Sequence, residues 1–462
     1  MKAWEKERKT MDEAIPRILT EEEQTWDFAQ TLEESGDTLM KLLWSSHVPG
    51  SYAPESIMIA AIQSMENRGY QVNQAEVLIK AGLKALKKND LVELNKISAQ
   101  VWYEVNHAQK NEQALYWTYK PYHDFETYLT AVEFPNFKKV KKDSLLLDKI
   151  YAGWLAQIIG GAVGTAIEGY TTAAIKKAFG EVTGYIRKPN TLNDDITFEL
   201  ALLKAVEATS SKTVTSIDIA LHWIGYVPMA WSAEEIALRN IRYGLFPPQS
   251  GRTNNPFSDW IGAQMRGVIC GLLFPGNAYE AAGLAWKDAV ISHDNNGALG
   301  EVFNAVLAAL CFVETDVEKL IELSLKCIPK DSEYYYFANL AFTYAKTHDQ
   351  WEEAWAKCER AFKEYNWIHV YPNAMAEIIA LYYGQGNFEK TLHILAMAGQ
   401  DVDCNAAQIL TILGVMGGLK SIPQNLIEPI GDRLDTYLRQ DRVLSIQTLA
   451  QRTYACIEES KK

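Results

Sequence analysis

The chain has 462 residues, of which 48% are hydrophobic and 22% charged, a globular balance that excludes a disordered or fibrous protein. Its length suits two or three domains, or one large domain with an extension. A formal net charge of -13 argues against a partner held broadly through nucleic-acid phosphates.

The N-terminal "MKAWEKERKTMDEAIPR" is charged and has no apolar core segment, so no secretory signal is expected. Residues 1–145 read as a separate, more polar helical region. Within it, "AEVLIKAGLKAL" (75–86) predicts a helix with Val77, Ile79, Leu83 and Leu86 along one broad face. The region ends in the aromatic stretch "YWTYKPYHDFETYLTAVEFPNF" and the basic "KKVKKD".

From 146 to 423 the chain turns rich in Gly, Ala and large apolar residues, as a big helical core requires. "IYAGWLAQIIGGAVGTAI" (150–167) reaches the minimum length of a membrane span. Gln157, four glycines and the flanking charges Asp148, Lys149 and Glu168 favour a buried core helix instead, so no membrane partner is expected. "GEVTGYIRKP" (180–189) is the best strand-like piece. Residues 333–362 suggest a helix hairpin, and 424–462 read as two C-terminal helices packed on the core. The predicted class is all-α: a multi-helix domain with an N-terminal helical extension. Six cysteines, all between Cys270 and Cys456 and without a CxxC, fit reduced thiols in a cytoplasmic protein.

Three stretches carry acids at helix ends. In "NTLNDDITFEL" (190–200), Asp194 and Asp195 stand where a polar loop gives way to an apolar helix. Asn193 is a good N-cap and acids suit a first turn, so capping alone accounts for the doublet. In "MAGQDVDCNAAQILTILGVMGG" (397–418), Asp401 and Asp403 stand at a second such entrance. It is no EF-hand, because Ala406 and Ile412 occupy the glycine and glutamate positions. Glu168 follows the glycine-rich helix, where Gly160, Gly161 and Gly164 permit close backbone approach. If these three helix ends met, five carboxylates would converge, and protons or cations would have to relieve their repulsion. Oxygen ligands of this kind favour Mg²⁺, Mn²⁺ or Ca²⁺ over zinc. Arg252, in "PPQSGRTNNPFSDW", would meet a pyrophosphate with help from Asn254 and Asn255, or else belongs to a plain loop. Arg266 is expected to bury its stem and pair with an acid. The dinucleotide, P-loop, HExxH and GxSxG motifs are all missing.

Five pieces in one order resemble the ADP-ribosylglycohydrolase superfamily over about 150–420. They are "GGAVGTAIEGY", "LNDDITFEL", "NPFSDWIGAQMRGVICGLLFPGN", "LAWKDAVISHDNNGALGEVFNAVLAAL" and "AGQDVDCNAAQILTILGVMGG". The resemblance implies an all-helical domain with two Mg²⁺ ions (Mn²⁺ being the alternative) that hydrolyses a glycosidic bond to ADP-ribose. The partner would be an ADP-ribosylated protein or a small ribosyl compound. By the same resemblance, Asn193, Asp194, Asp195, Asp401, Asp403 and Cys404 would hold the metal. Glu168 or Asp195 would act as general base. His293, in "VISHDNNGALG", would line the ribose or phosphate pocket, or else cap the helix that begins near Gly297. Three positions depart from the family pattern: Gly161 where an aspartate is common, Asn193 for a hydroxyl residue, and Cys404 for a second hydroxyl. Two other functions fit the same residues: a nucleosidase acting on a small ribosyl compound, or a non-catalytic ADP-ribose-binding protein.

Overall fold

Asp143 opens the central helix. Its side chain accepts the Leu146 N–H, an N-cap bond that contributes about 1 kcal/mol. The helix then runs Ser144–Gly164, and from Ala152 onward every side chain is buried. A helix apolar on all sides belongs inside a protein or a bilayer. Here protein surrounds it, and no helix among the described residues is long and apolar enough to cross a membrane. The computed structural model describes residues 1–136 and 138–458. Phe137, which ends the aromatic stretch, and 459–462, which end the tail, lie outside the described residues.

Twenty-three α-helices run among the described residues, with three antiparallel pairs of two-residue strands between them. The protein is all-α. Val402–Gly417 lies antiparallel to Ser144–Gly164, because Gly153 faces Val415 and Gly164 faces Asp403. The fit needs glycine: a Cβ on Gly164 would stand 2.2 Å from the Asp403 Cα. Asp194–Ala208, Asn296–Leu310 and Val370–Gly384 are also buried along most of their length. One hydrophobic core runs through these elements, from Tyr122 to Ile457. Glu333–Thr347 and Trp351–Phe362 form the expected helix hairpin.

The N-terminal region has its own cluster around the buried Trp44, whose indole N–H donates to Ser98 Oγ at 2.7 Å. Its Asn73–Lys88 helix turns a different face inward from the one expected. Ala75, Leu78, Ile79, Gly82, Ala85 and Leu86 pack, while Val77 and Leu83 are exposed. Gly82 explains the rotation, since a Cβ there would stand 1.9 Å from the Trp44 ring. Ile57, Ala60 and Ala61 join Phe257 and Trp260 across the junction with the main core. The Trp260 indole donates to Ser64 Oγ at 2.7 Å, and Arg68 donates to the Asn255 carbonyl at 3.2 Å.

Two further expectations are corrected. Residues 180–189 form no strand. The Val182 N–H goes to Met397 Sδ and its carbonyl to His393 Nδ1, which leaves nothing for a ladder partner. The tail holds one full helix, Ile446–Cys456, and a single turn, Gln424–Ile427. Between them lies a short pairing of Leu434–Asp435 with Val443–Leu444.

The core also buries acids. Glu199 accepts from Gln157 Nε2 at 2.7 Å and Gln408 Nε2 at 3.2 Å, while its second oxygen has no partner. Burial pushes its carboxyl up to about 8 from an ordinary 4.5. The folded state therefore holds a proton that the unfolded chain has released, so this group lowers stability as pH rises between those two values. Glu199→Gln is expected to lessen the stability lost between pH 5 and pH 8. Urea unfolding at both pH values checks this, and an unchanged pH slope would contradict it.

Candidate functional site

The two acidic helix entrances and Glu168 meet. The junction is made by Tyr170–Thr171 pairing antiparallel with Gly399–Gln400, extended by the Gly169 N–H on the Gln400 carbonyl at 2.8 Å. This pairing sets Glu168, two residues before one strand, beside Asp401, which follows the other. Asn373 holds the second loop from behind: its Oδ1 accepts from the Asp401 N–H at 3.1 Å and from Asn405 Nδ2 at 2.8 Å. The doublet reaches the same place from the third direction. Asn193 Nδ2 donates to Asp403 Oδ2 at 3.1 Å, and the Cys404 thiol donates to Asp195 Oδ1 at 3.2 Å.

Capping does not explain these acids. Asn193 and Asp401 occupy the N-cap positions of Asp194–Ala208 and Val402–Gly417, yet neither side chain bonds to its own helix end. Asn193 Oδ1, Asp195 Oδ2 and Asp401 Oδ1 are buried and have no hydrogen-bond partner. Buried oxygens in native proteins are nearly always satisfied, so three orphans in one cluster mark a position for something the chain does not supply. Asp401, Asp403 and Cys404 offer ligand atoms that all lie within 4.8 Å of one another.

Burial raises all five carboxyls above their ordinary range, and in the other four the charge of Asp403 adds to it. In Glu168, Asp195 and Asp401 the second cause is the charge of Asp403. Asp194 is pushed up to about 6 by burial and then by Asp403. Asp403 is itself raised by burial, but hydrogen bonds from the Asp401 and Glu168 carboxyls and from the Cys404 N–H work against this. It is the member best able to keep its charge. Among the described residues, no lysine or arginine forms an ion pair with these five carboxylates. Arg266, whose field reaches Asp194, is already bound by Asp288 Oδ2 at 2.5 Å and Glu234 Oε1 at 3.0 Å. It thus buries its guanidinium on acids, as its sequence context predicts.

The three departures from the family pattern are neighbours in space. A Cβ on Gly161 would lie 3.4 Å from Asn193 Nδ2, so the Asn193 amide fills the space toward which a longer side chain at 161 would grow. Cys404 joins them through its contact with Asp195 and through Asp403, which precedes it and accepts from Asn193. His293, Arg252 and Asn255 form a second group around residues 292–294. His293 is wholly buried, with Nδ1 2.7 Å from Ser292 Oγ, and burial and Arg266 hold its ring well below the ordinary range and therefore neutral. Asn255 donates to the Ser292 carbonyl at 2.9 Å. Arg252 Nε donates to Asp294 Oδ1 at 3.0 Å, and its fork also reaches the His123 carbonyl. None of these three bonds to the five-carboxylate cluster.

Two neighbours of the centre escaped sequence reasoning. The hairpin between Ser46–His47 and Pro54–Glu55 lies against the Glu168 turn: Arg187 donates to the Gly50 and Thr165 carbonyls, and Tyr170 donates to the Ser51 carbonyl. In the tail, Tyr437 approaches the doublet, and burial and then the Asp194 charge raise its phenol. Neither carries a motif, because both arrive through tertiary packing of segments far away in the chain.

The close approach at Gly164 gives a direct test of this geometry. Gly164→Ala is expected to cost about 1–3 kcal/mol of stability by overpacking and to weaken divalent-ion binding. Thermal unfolding with and without Mg²⁺ checks both, and an unperturbed variant would show that the helix and the Asp403 loop are not in contact.

The structure is thus an all-helical fold with an acidic group gathered at the mouths of its helices. The family model for ADP-ribosylglycohydrolase matches residues 142–460. The chain belongs to the ADP-ribosylglycohydrolase family, a glycohydrolase superfamily. Among solved structures, one described as an ADP-ribosylglycohydrolase-related protein complex is 17% identical, with a TM-score of 0.49 over 68% of this chain and 99% of that one. No curated protein matches the chain. The family match reaches through most of the C-terminal tail and leaves the first 141 residues outside it.

Proposed function

We propose that this protein is a metal-dependent glycohydrolase that releases ADP-ribose from an ADP-ribosylated substrate. One observation carries the reading: the buried Glu168, Asp195, Asp401 and Asp403 and the partly buried Asp194 converge from three helix ends, and Asn193, Asp195 and Asp401 each keep an unpartnered oxygen there. The donors fit hard divalent ions, and Mg²⁺ or Mn²⁺, as a pair, is the occupant proposed. Asn193, Asp194, Asp195, Asp401, Asp403 and Cys404 would hold it. When bound, such ions neutralise the acids, orient ribose hydroxyls and make a water more acidic.

The chain's own residues supply the rest. Glu168 keeps a small exposed surface at the edge of the cluster, and burial and then the Asp403 charge raise its carboxyl well above the ordinary range, the direction a general base in such a site requires. It is the general base proposed, with Asp195 as its alternative. Asp195 is wholly buried and fixed by Cys404, which suits it to holding position. The negative field of the cluster stabilises the oxocarbenium character of glycoside cleavage. Arg252 keeps about a third of its side chain exposed and is the group proposed to meet a phosphate. Asn255 and His293 hold the turn behind it.

A substrate panel tests this. Peptides ADP-ribosylated on arginine or serine, and free nucleosides, are incubated with Mg²⁺, then with a chelator, then with Mg²⁺ restored. ADP-ribose release that follows the ion is expected. Release that ignores the chelator would contradict the metal reading. Tight ADP-ribose binding without turnover of any substrate would make the protein a binder.

A further inference from the structure

Cys404 is not placed like an ordinary core thiol. Cys311 and Cys327 donate their S–H to backbone carbonyls, and Cys270 reaches a single buried carboxylate, Glu301 Oε1, only at 4.0 Å. Cys404 turns its sulfur into the acidic pocket, 3.2 Å from Asp195 Oδ1 and in one group with Asp401 and Asp403. The side chain is 4% exposed. A thiol is a weak hydrogen-bond donor, so this contact is a poor use of a buried position in a pocket crowded with acceptors. The second observation is independent of the sulfur. Asp195 Oδ2, Asp401 Oδ1 and Asn193 Oδ1, all on residues more than nine-tenths buried, lack partners in the same pocket.

We propose that Cys404 is a thiolate ligand in the centre, and that the ion position beside it selects a borderline-soft divalent ion of the Zn²⁺ and Co²⁺ class over Mg²⁺. The inference rests on the metal centre proposed above and revises it at one position: the ion beside Cys404 is assigned to the borderline-soft class, and the other stays Mg²⁺ or Mn²⁺. Its chemistry balances simply: the S–H bond breaks as the sulfur–metal bond forms, and the proton leaves to buffer. Carboxylate and amide oxygens accept both hard and borderline ions, whereas sulfur discriminates between them. One cysteine among oxygen donors is therefore enough to change the preference of one position and leave the other hard.

The test uses the full chain, stripped with a chelator and titrated with Co²⁺. A near-ultraviolet sulfur-to-cobalt charge-transfer band is expected, saturating as one equivalent binds. Cys404→Ser is expected to bind Co²⁺ without that band. Its preference for Zn²⁺ over Mg²⁺, read by competition, should fall about 10–100-fold, the scale on which metal-site partners act. Cys404→Ala gives the same comparison should the serine variant fail to fold, and the wild-type spectrum decides ligation without either. Co²⁺ binding without the band, or an unchanged Zn²⁺ to Mg²⁺ ratio in the variants, would overturn the thiolate assignment and leave the metal centre standing. Failure of Co²⁺, Zn²⁺, Mn²⁺ and Mg²⁺ alike to bind in equilibrium dialysis would overturn both.

Discussion

Asp403→Asn is expected to lower divalent-ion affinity and turnover by at least about 100-fold, the upper range that even outer-shell partners of metal ligands command. The substitution keeps the side chain's shape, so what is lost is charge. Asp403 is the carboxylate toward which the others lean: Asn193 donates to one of its oxygens at 3.1 Å and the Cys404 N–H to the other at 3.0 Å. Its charge is the leading electrostatic reason that Glu168, Asp194, Asp195 and Asp401 are raised. The same change should stabilise the ion-free protein by about 0.5–2 kcal/mol, the usual gain when a strained functional charge is removed. A structural acid would behave in the opposite way, losing stability and leaving function alone. Calorimetry with Mg²⁺ and chemical unfolding in a chelator separate the two. Full activity in Asp403→Asn, or in Asp403→Ala, would remove this residue from the centre.

Arg266→Met is expected to cost about 3–5 kcal/mol of stability at neutral pH, the penalty for breaking a buried ion pair from one side. The guanidinium is wholly buried and serves several acids together. Its Nε meets Asp288, one Nη meets Glu234, and Glu301 lies 3.8 Å from the other. It also stacks over the Trp223 ring at 4.7 Å. Methionine would retain much of the packing and none of the charge, leaving those acids to repel one another in a dry site. Glu234 is held at about 7 by burial even with Arg266 present to lower it. Without the cation the folded pKa values rise further, so protons bind the folded state more readily and the deficit shrinks as pH falls. Urea unfolding should therefore show a larger loss at pH 8 than at pH 5. A loss under about 1 kcal/mol, the level of an exposed pair, would mean that the cluster does not need its cation.

The helices were legible in the sequence because their apolar spacing is local. The 333–362 hairpin and the all-helical class follow from that spacing alone. Faces were less legible. In Asn73–Lys88 the inward face is set by Gly82 making room for Trp44, a contact between helices that periodicity does not contain. The 180–189 stretch has strand composition but spends its backbone groups on Met397 and His393. The acids of the candidate site were legible one at a time, and for the 194–195 doublet capping was a sufficient local explanation. Their convergence was not, because it depends on Tyr170–Thr171 pairing with Gly399–Gln400 and on Asn193 turning its amide toward Asp403. Arg266 followed its expected pattern since a buried arginine has few alternatives to an acid.

The most direct measurement is anomalous diffraction at the manganese edge from crystals of the full chain grown with Mn²⁺. A peak within ligand reach of Asp194, Asp195, Asp401 and Asp403 is the predicted result. A saturating Mn²⁺ concentration that leaves no anomalous density among those four carboxylates would contradict the assignment of this cluster as the metal centre.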